Sequence, residues 1–326
     1  MAADRKQGTP GDNGIYRRAD IHPGRYCREP WLGGTKPPLI DRLTHMEQYE
    51  ATTSVIPAML RVLGLDQQGR RNAENVVLNS FELQFDSLPP SFDGFSILFL
   101  SDMHFDGNPD LSRAIARAVD GVQADLCLLG GDFRFGMYSP PDKALDQTAE
   151  VLASIRTRQG CFGVLGNHDS WSMMERLEKT GLRMLINESV AFTRDDERLW
   201  LAGVDDPHFF RAADFGRAMA PVPRDEFCTM LCHTPEARER AARHGADLFL
   251  CGHTHAGQIR LPLVGALSMH SSAPRRFNAG LWQHNGMTGY TSPGVGSSGI
   301  FVRFNCPPEV ALITLRRARP ENRSNS

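Results

Sequence analysis

Seven side chains in this 326-residue sequence could together bind metal: Asp102, His104, Asp132, Asn167, His233, His253 and His255. Each follows closely on an apolar run. "FSILFLSDMH" delivers Asp102 and His104, "DLCLLGGD" delivers Asp132, and "CFGVLGNHD" delivers Asn167, His168 and Asp169. "EFCTMLCHT" delivers His233, and "DLFLCGHTH" delivers His253 and His255. Alternate side chains of a strand share a face, so His-x-His at a strand end can aim two imidazoles at one place. Two neutral imidazoles aimed together suggest a metal, although a pair of turn histidines at a loop mouth would read the same way. The convergence of five separate segments favours a site. Seven oxygen and nitrogen donors exceed the four that one tetrahedral zinc takes, and suit two divalent ions sharing a bridging carboxylate. Mixed imidazole, carboxylate and amide donors without thiolate suit Mn, Fe, Zn or Co better than Ca or Mg alone.

The elements that must position these residues show in the hydrophobic pattern. From residue 75 strand-like and helix-like segments alternate: "VVLNSFELQF", "FSILFL", then helical "LSRAIARAVDG", "DLCLLGGD", then helical "KALDQTAEVLASIRTRQ". The alternation runs on to "DLFLCGHTH", with Gly181 and Gly245 closing helices. Continuous apolar strands joined by helices predict an α/β fold whose sheet is covered on both sides. In an open sheet of this kind ligands bind at the C-terminal edge of the strands, where all seven donors fall. Antiparallel-looking strands near 183–204 and 286–316 predict a second, mixed sheet packed on the first. Residues 1–48, rich in Gly, Pro and Arg, read as an extended or disordered arm, and 318–326 as a disordered tail. Residues 49–74 hold an amphipathic helix and linker, with Val55, Ile56, Met59, Leu60 and Leu63 on one face. That helix packs on its own domain or, helped by Arg61, Arg70 and Arg71, touches a membrane surface or partner.

Composition narrows the function. With 41% hydrophobic residues, 23% charged residues and a net charge of −2, the chain is an ordinary soluble globular protein, and nucleic acid is not an expected partner. No apolar run approaches the roughly 20 residues of a membrane span, and the N-terminus has no signal-peptide core. Of seven cysteines, Cys127, Cys228, Cys232 and Cys251 fall in apolar runs and none forms a CxxC pair, which points to a reducing, cytoplasmic setting.

In their order, "SDMH", "GGD", "GNHD", "CHTP" and "GHTHAGQ" resemble the calcineurin-like metallophosphoesterase superfamily over residues 75–317. The resemblance implies a catalytic domain built as a four-layer αββα sandwich of two mixed β-sheets flanked by helices. It implies that Asp102, His104 and His255 hold one metal, that Asp132 bridges, and that Asn167, His233 and His253 hold the second. His168 would face the substrate and either protonate the leaving oxygen or stabilise the transition-state charge, while a metal-bridging hydroxide attacks phosphorus in line. "LPPSFDGFSILFLSDMH", "LAGVDDP" and "SPGVGSSGIFVRFNCPPEVALITL" are similar to a bacterial subgroup often tethered to the inner membrane, some of whose members act as UDP-2,3-diacylglucosamine pyrophosphatases in lipid A synthesis. This sequence lacks that subgroup's N-terminal transmembrane segment, so contact with the membrane would be peripheral. It also lacks the second acid of the "GDxxDRG" pattern of protein phosphatases, which favours a phosphodiester or pyrophosphate substrate over a phosphoprotein.

Other residues are less specific. Arg134 could reach a substrate phosphate or form a surface ion pair. Asp169 could orient His168 or cap the following helix. Asp205 and His208 lie in a loop or turn near the site, and His270 and His284 have no spacing partner. "GVGSSG" lacks a P-loop lysine and reads as a tight turn between strands. A metal-binding scaffold without turnover would tend to lose a ligand or His168, and all are present.

Overall fold

A computed structural model of the chain describes residues 22–32, 55–137, 139–266, 269 and 271–318. Most of the expected arm, nearly all of the expected tail, and His270 lie outside the described residues. Within the arm, Pro23–Leu32 is not extended; it forms helix α1. Proline suits the first helical turn, and α1 is tied down by Arg25, which is fully buried.

The remaining elements are α2 (Val55–Val62), α3 (Asp66–Glu74), β1 (Val77–Phe85), β2 (Ser96–Leu100), α4 (Leu111–Ala118), β3 (Leu126–Leu129), α5 (Asp142–Ser154), β4 (Cys161–Gly163), α6 (Met174–Lys179), β5 (Leu182–Met184), β6 (Glu188–Arg194), β7 (Glu197–Gly203), α7 (Phe215–Met219), β8 (Cys228–Leu231), α8 (Arg238–Arg243), β9 (Leu248–Cys251), β10 (Gly280–His284), β11 (Met287–Thr291) and β12 (Glu309–Arg317). Gly181 and Gly245 follow α6 and α8 at φ 92° and 88°, the left-handed exits their positions predict.

Two six-stranded sheets form, in the orders β1-β12-β2-β3-β4-β5 and β10-β11-β9-β8-β7-β6. Strands β2 to β5 run parallel, as do β11, β9, β8 and β7. Antiparallel pairs β12–β2, β10–β11 and β6–β7 make both sheets mixed. Because strand side chains alternate, one strand feeds two layers. Ile97, Phe99, Leu126 and Leu128 enter the core between the sheets with Leu201, Leu231 and Leu250. Leu98, Leu100, Cys127 and Leu129 face Ile115, Leu145 and Leu177 of α4, α5 and α6. On the far side Ala202, Met230 and Phe249 pack on Ala218 and Ala241 of α7 and α8. Each fully buried Leu or Phe contributes about 2 kcal/mol, and a slip of one residue would exchange the layers, so register is firmly set. The result is the four-layer αββα sandwich.

Helix α2 packs only in part: Leu60 is buried, whereas Met59, Val62 and Leu63 are exposed. Cys127, Cys161, Cys228, Cys232, Cys251 and Cys306 are free, and all but Cys161 are buried.

Candidate metal centre

The parallel strands end before the candidate ligands rather than at them. β2 stops at Leu100, β3 at Leu129, β4 at Gly163, β8 at Leu231 and β9 at Cys251. The chain then turns sharply. Asp102, His104, Asp132, His253 and His255 have φ of 54°, 45°, 57°, 71° and 48°. Left-handed backbone at residues other than glycine costs on the order of 1 kcal/mol each and gathers where surrounding structure enforces it. Here it turns each side chain inward. Gly166 and Gly252 allow the loops to close: a Cβ on either would lie 2.1 Å from Asp132 Oδ1 or Asp102 Oδ2 respectively.

Two clusters result. Asp102, His104 and His255 present ligand atoms within 4.8 Å of one another, as do Asp132, His233 and His253. His253 and His255 therefore serve different clusters, which corrects the expectation that strand alternation aims both at one place. His104 Nε2 lies 3.1 Å from His255 Nε2, and His255 Nε2 is 3.7 Å from Asp102 Oδ1. Asp132 Oδ2 lies between the clusters, 3.7 Å from His104 Nε2 and 3.3 Å from His233 Nε2. Asn167 joins the second cluster, its Oδ1 3.0 Å from His233 Nε2. His168 stands beside His104 and Asp132, close enough to make a third possible trio.

The electrostatics suit cations. Burial, reinforced by His168, pushes His104 down to about 4. Burial and the neighbouring His208 and His233 drive His253 well below its ordinary value; burial, His104 and Arg303 do the same to His255. These rings are neutral near pH 7, the form that ligates. Burial raises Asp102 to about 6 against the pull of His233. For Asp132 burial is outweighed by His233 and His168, and the carboxyl stays well below the usual range. His233 goes up to about 10, because Asp132 outweighs burial. Apart from His233 the imidazoles around the two buried carboxylates are neutral, and His253 Nε2 is buried without a hydrogen-bond partner. The donor set fits divalent ions.

Residues 95–257 match the family described as Calcineurin-like phosphoesterase. The chain is also 33% identical over 231 residues to phosphodiesterase YaeI of Escherichia coli (strain K12), covering 68% of this chain and 82% of YaeI. This chain belongs to the calcineurin-like phosphoesterase family. It is 28% identical over 312 residues to the "Transmembrane protein with metallophosphoesterase domain" of Bos taurus, covering 88% of this chain and 67% of that protein. It is 26% identical over 240 residues to the uncharacterised metallophosphoesterase YkuE of Bacillus subtilis (strain 168), covering 70% of this chain and 82% of that protein. As a calcineurin-like phosphoesterase it is a phosphoric ester hydrolase that depends on divalent metal.

Several residues near the centre work differently from expectation. Asp169 neither orients the His168 ring nor caps a helix. Its buried carboxylate accepts from the backbone N–H of Asp132 (2.7 Å), Phe133 (2.9 Å) and Gly166 (2.8 Å), pinning the loops after β3 and β4 together. Arg134 is buried, not a surface ion-pair partner; its Nε donates to His168 O at 2.6 Å and its Nη1 to Ser139 O at 2.9 Å. Its fork positions backbone, and its Nη2 is buried without a hydrogen-bond partner. Asp205 pairs with Arg25 of α1 at 2.8 Å, both fully buried, and Arg25 Nη1 donates to Asp169 O at 2.8 Å. His208 lies beside the site, its ring centre 4.5 Å from that of His253, with Nδ1 2.8 Å from Glu236 Oε2. His284 pairs with Glu239 instead. The "GVGSSG" loop is more than a turn: Val295 N and Gly296 N donate to Ser101 O (3.0 Å) and Asp102 O (2.9 Å). Arg303, missed in the sequence, is buried behind it, donating to Pro293 O at 2.8 Å and lying 3.4 Å from His255 Nδ1. A lone arginine inside the apolar run "IFVRFN" was the available signal.

Proposed function

We propose that this chain is a dinuclear phosphodiesterase or pyrophosphatase. Asp102, His104 and His255 hold one ion, Asn167, His233 and His253 hold the other, and Asp132 is shared. The observation that carries this reading is the position of Asp132 Oδ2 between His104 and His233, one histidine of each cluster. Paired divalent ions, when bound, supply a nucleophile at neutral pH and neutralise charge on the phosphoryl oxygens. The chain's own contribution is to hold the donors in place, exclude bulk water and deliver a proton. His168 suits that last task. Its Nδ1 is held by Phe135 O at 2.6 Å, which leaves Nε2 facing the site; in the imidazolium form Nε2 carries the second proton, the one given to the leaving oxygen. It is partly exposed where the ligands are buried, which supports a substrate-facing role over ligation.

An amphiphilic substrate such as UDP-2,3-diacylglucosamine is the finer reading. Its support is the apolar rim. Leu261, Leu263 and Val264, on the hairpin that leaves the site at Gln258, are exposed, as are Met59 and Val62 of α2 and Leu63 just after it. Hairpin and helix flank the same segment: Arg260 N and Gln258 O bond Phe304, while Pro57 and Leu60 line a cavity of about 200 Å³ with Ile300 and Phe301. An apolar patch beside a site marks a surface for lipid or another apolar partner. Among the described residues no helix is long and apolar enough to cross a membrane.

The test compares turnover of bis-p-nitrophenyl phosphate and of UDP-2,3-diacylglucosamine with Mn added. Hydrolysis of both supports the lipid-linked reading. Good activity on the diester with none on the lipid nucleotide removes it and leaves the phosphodiesterase. His168→Ala should abolish turnover with metal content unchanged; loss of metal would make His168 a ligand.

A further inference from the structure

His104 and His168 stand edge to face, ring centres 4.8 Å apart. Both send Nδ1 to one short loop: His104 to Arg134 O at 2.9 Å and His168 to Phe135 O at 2.6 Å. A carbonyl only accepts, so both Nδ1 atoms carry a proton, and the neutral His104 ring holds its lone pair on Nε2. The Arg134 carbonyl shares its amide with the Phe135 N–H, and in a trans amide the two point in opposite directions. That N–H donates to Asp106 Oδ1. The other carboxylate oxygen of Asp106 accepts from Ser139 Oγ at 2.9 Å. A continuous path therefore runs from the Asp106 carboxylate through one amide to His104 Nδ1–H, with Nε2 at the site. The loops can approach because residue 107 is glycine; a Cβ there would meet the Phe135 ring at 2.9 Å.

We propose that Asp106 is a positioning residue for His104, acting through the Arg134–Phe135 amide. An ionised acceptor on the N–H polarises the amide and makes its carbonyl a stronger acceptor. That locks the His104 ring and makes Nε2 a better donor to a cation. The sequence after Asp132 is "FRFG", without the second acid of the protein-phosphatase pattern. Here backbone carbonyls hold the two rings, and the negative charge arrives from the neighbouring loop. The consequence for metal rests on the reading of His104 as a ligand; the tautomer does not.

The test uses the full chain with its histidines labelled with ¹⁵N, His104 being assigned by its loss in His104→Gln. In metal-free wild type His104 should be the Nδ1–H tautomer. Asp106→Ala should mix the tautomers and weaken Mn binding, followed by titration, about 10- to 100-fold, the range for partners behind a metal ligand. Asp106→Asn keeps an acceptor and removes the charge; it should keep the tautomer and weaken Mn binding several-fold. Should Asp106→Ala fail to fold, Asp106→Asn decides. Wild-type tautomer and wild-type Mn affinity in the variants would overturn the proposal and leave Asp106 a turn residue. If wild type itself binds no Mn, the dinuclear reading fails, and the tautomer comparison still decides the relay.

Discussion

At the scale of single residues the site depends on groups that never touch substrate. Asp169 spends its carboxylate on three backbone N–H groups, two of them flanking the Asp132 turn. Removing it leaves those donors buried and unpaired, at 1–3 kcal/mol per group. Asp169→Ala should destabilise the metal-free protein by on the order of 3 kcal/mol, read from urea unfolding. An unchanged midpoint would mean water or relaxation replaces the carboxylate. Glu236 is a second case. Burial disfavours its ionised form, but the hydrogen bond and charge of His208 pull the carboxyl down to about 2. A carboxyl lowered in the folded state stabilises above its unfolded value, and that stability is lost as pH falls from roughly 4.5 towards 2. Glu236→Gln should flatten the acid limb of stability in that window. An identical limb in the variant would assign acid lability elsewhere.

Elements place these residues, and their legibility differed. The parallel strands were readable because both faces are buried, so apolar runs such as "FSILFL" and "DLCLLG" mark them directly. The candidate ligands were readable because DxH, GD, GNH and GHTH are local motifs. What carried no local signal was long-range polar docking. Helix α1 sits in a segment that looked extended, and it is held by Arg25 against Asp205 and Asp169 O, partners 180 and 144 residues away. Arg303 and Asp106 are similar: each matters through a backbone group that only the fold brings near. The left-handed turns at Asp102, His104 and His255 were also hidden, so the strand-based view of the two histidines failed. Breaking a buried ion pair from one side costs about 3–5 kcal/mol. Arg25→Ala should lower stability by about that amount and release α1 to protease. A stability within 1 kcal/mol of wild type would show that α1 is not fastened by this pair.

The whole molecule is two sheets whose parallel strands aim loops at one edge, closed behind by the 293–296 loop. The cost of left-handed turns and buried carboxylates at that edge is offset when cations bind only the folded state, by about 2.7 kcal/mol at 100 times the dissociation constant. Chelation should therefore lower the thermal midpoint by several degrees, with Mn restoring it. The most direct test of the account is metal content measured together with turnover of bis-p-nitrophenyl phosphate, on wild type, Asp132→Asn and His168→Ala. The account predicts about two metals per chain and diester hydrolysis in wild type, loss of metal and activity in Asp132→Asn, and loss of activity alone in His168→Ala. Two metals bound with no turnover of any phosphoester, or full turnover in His168→Ala, would contradict it.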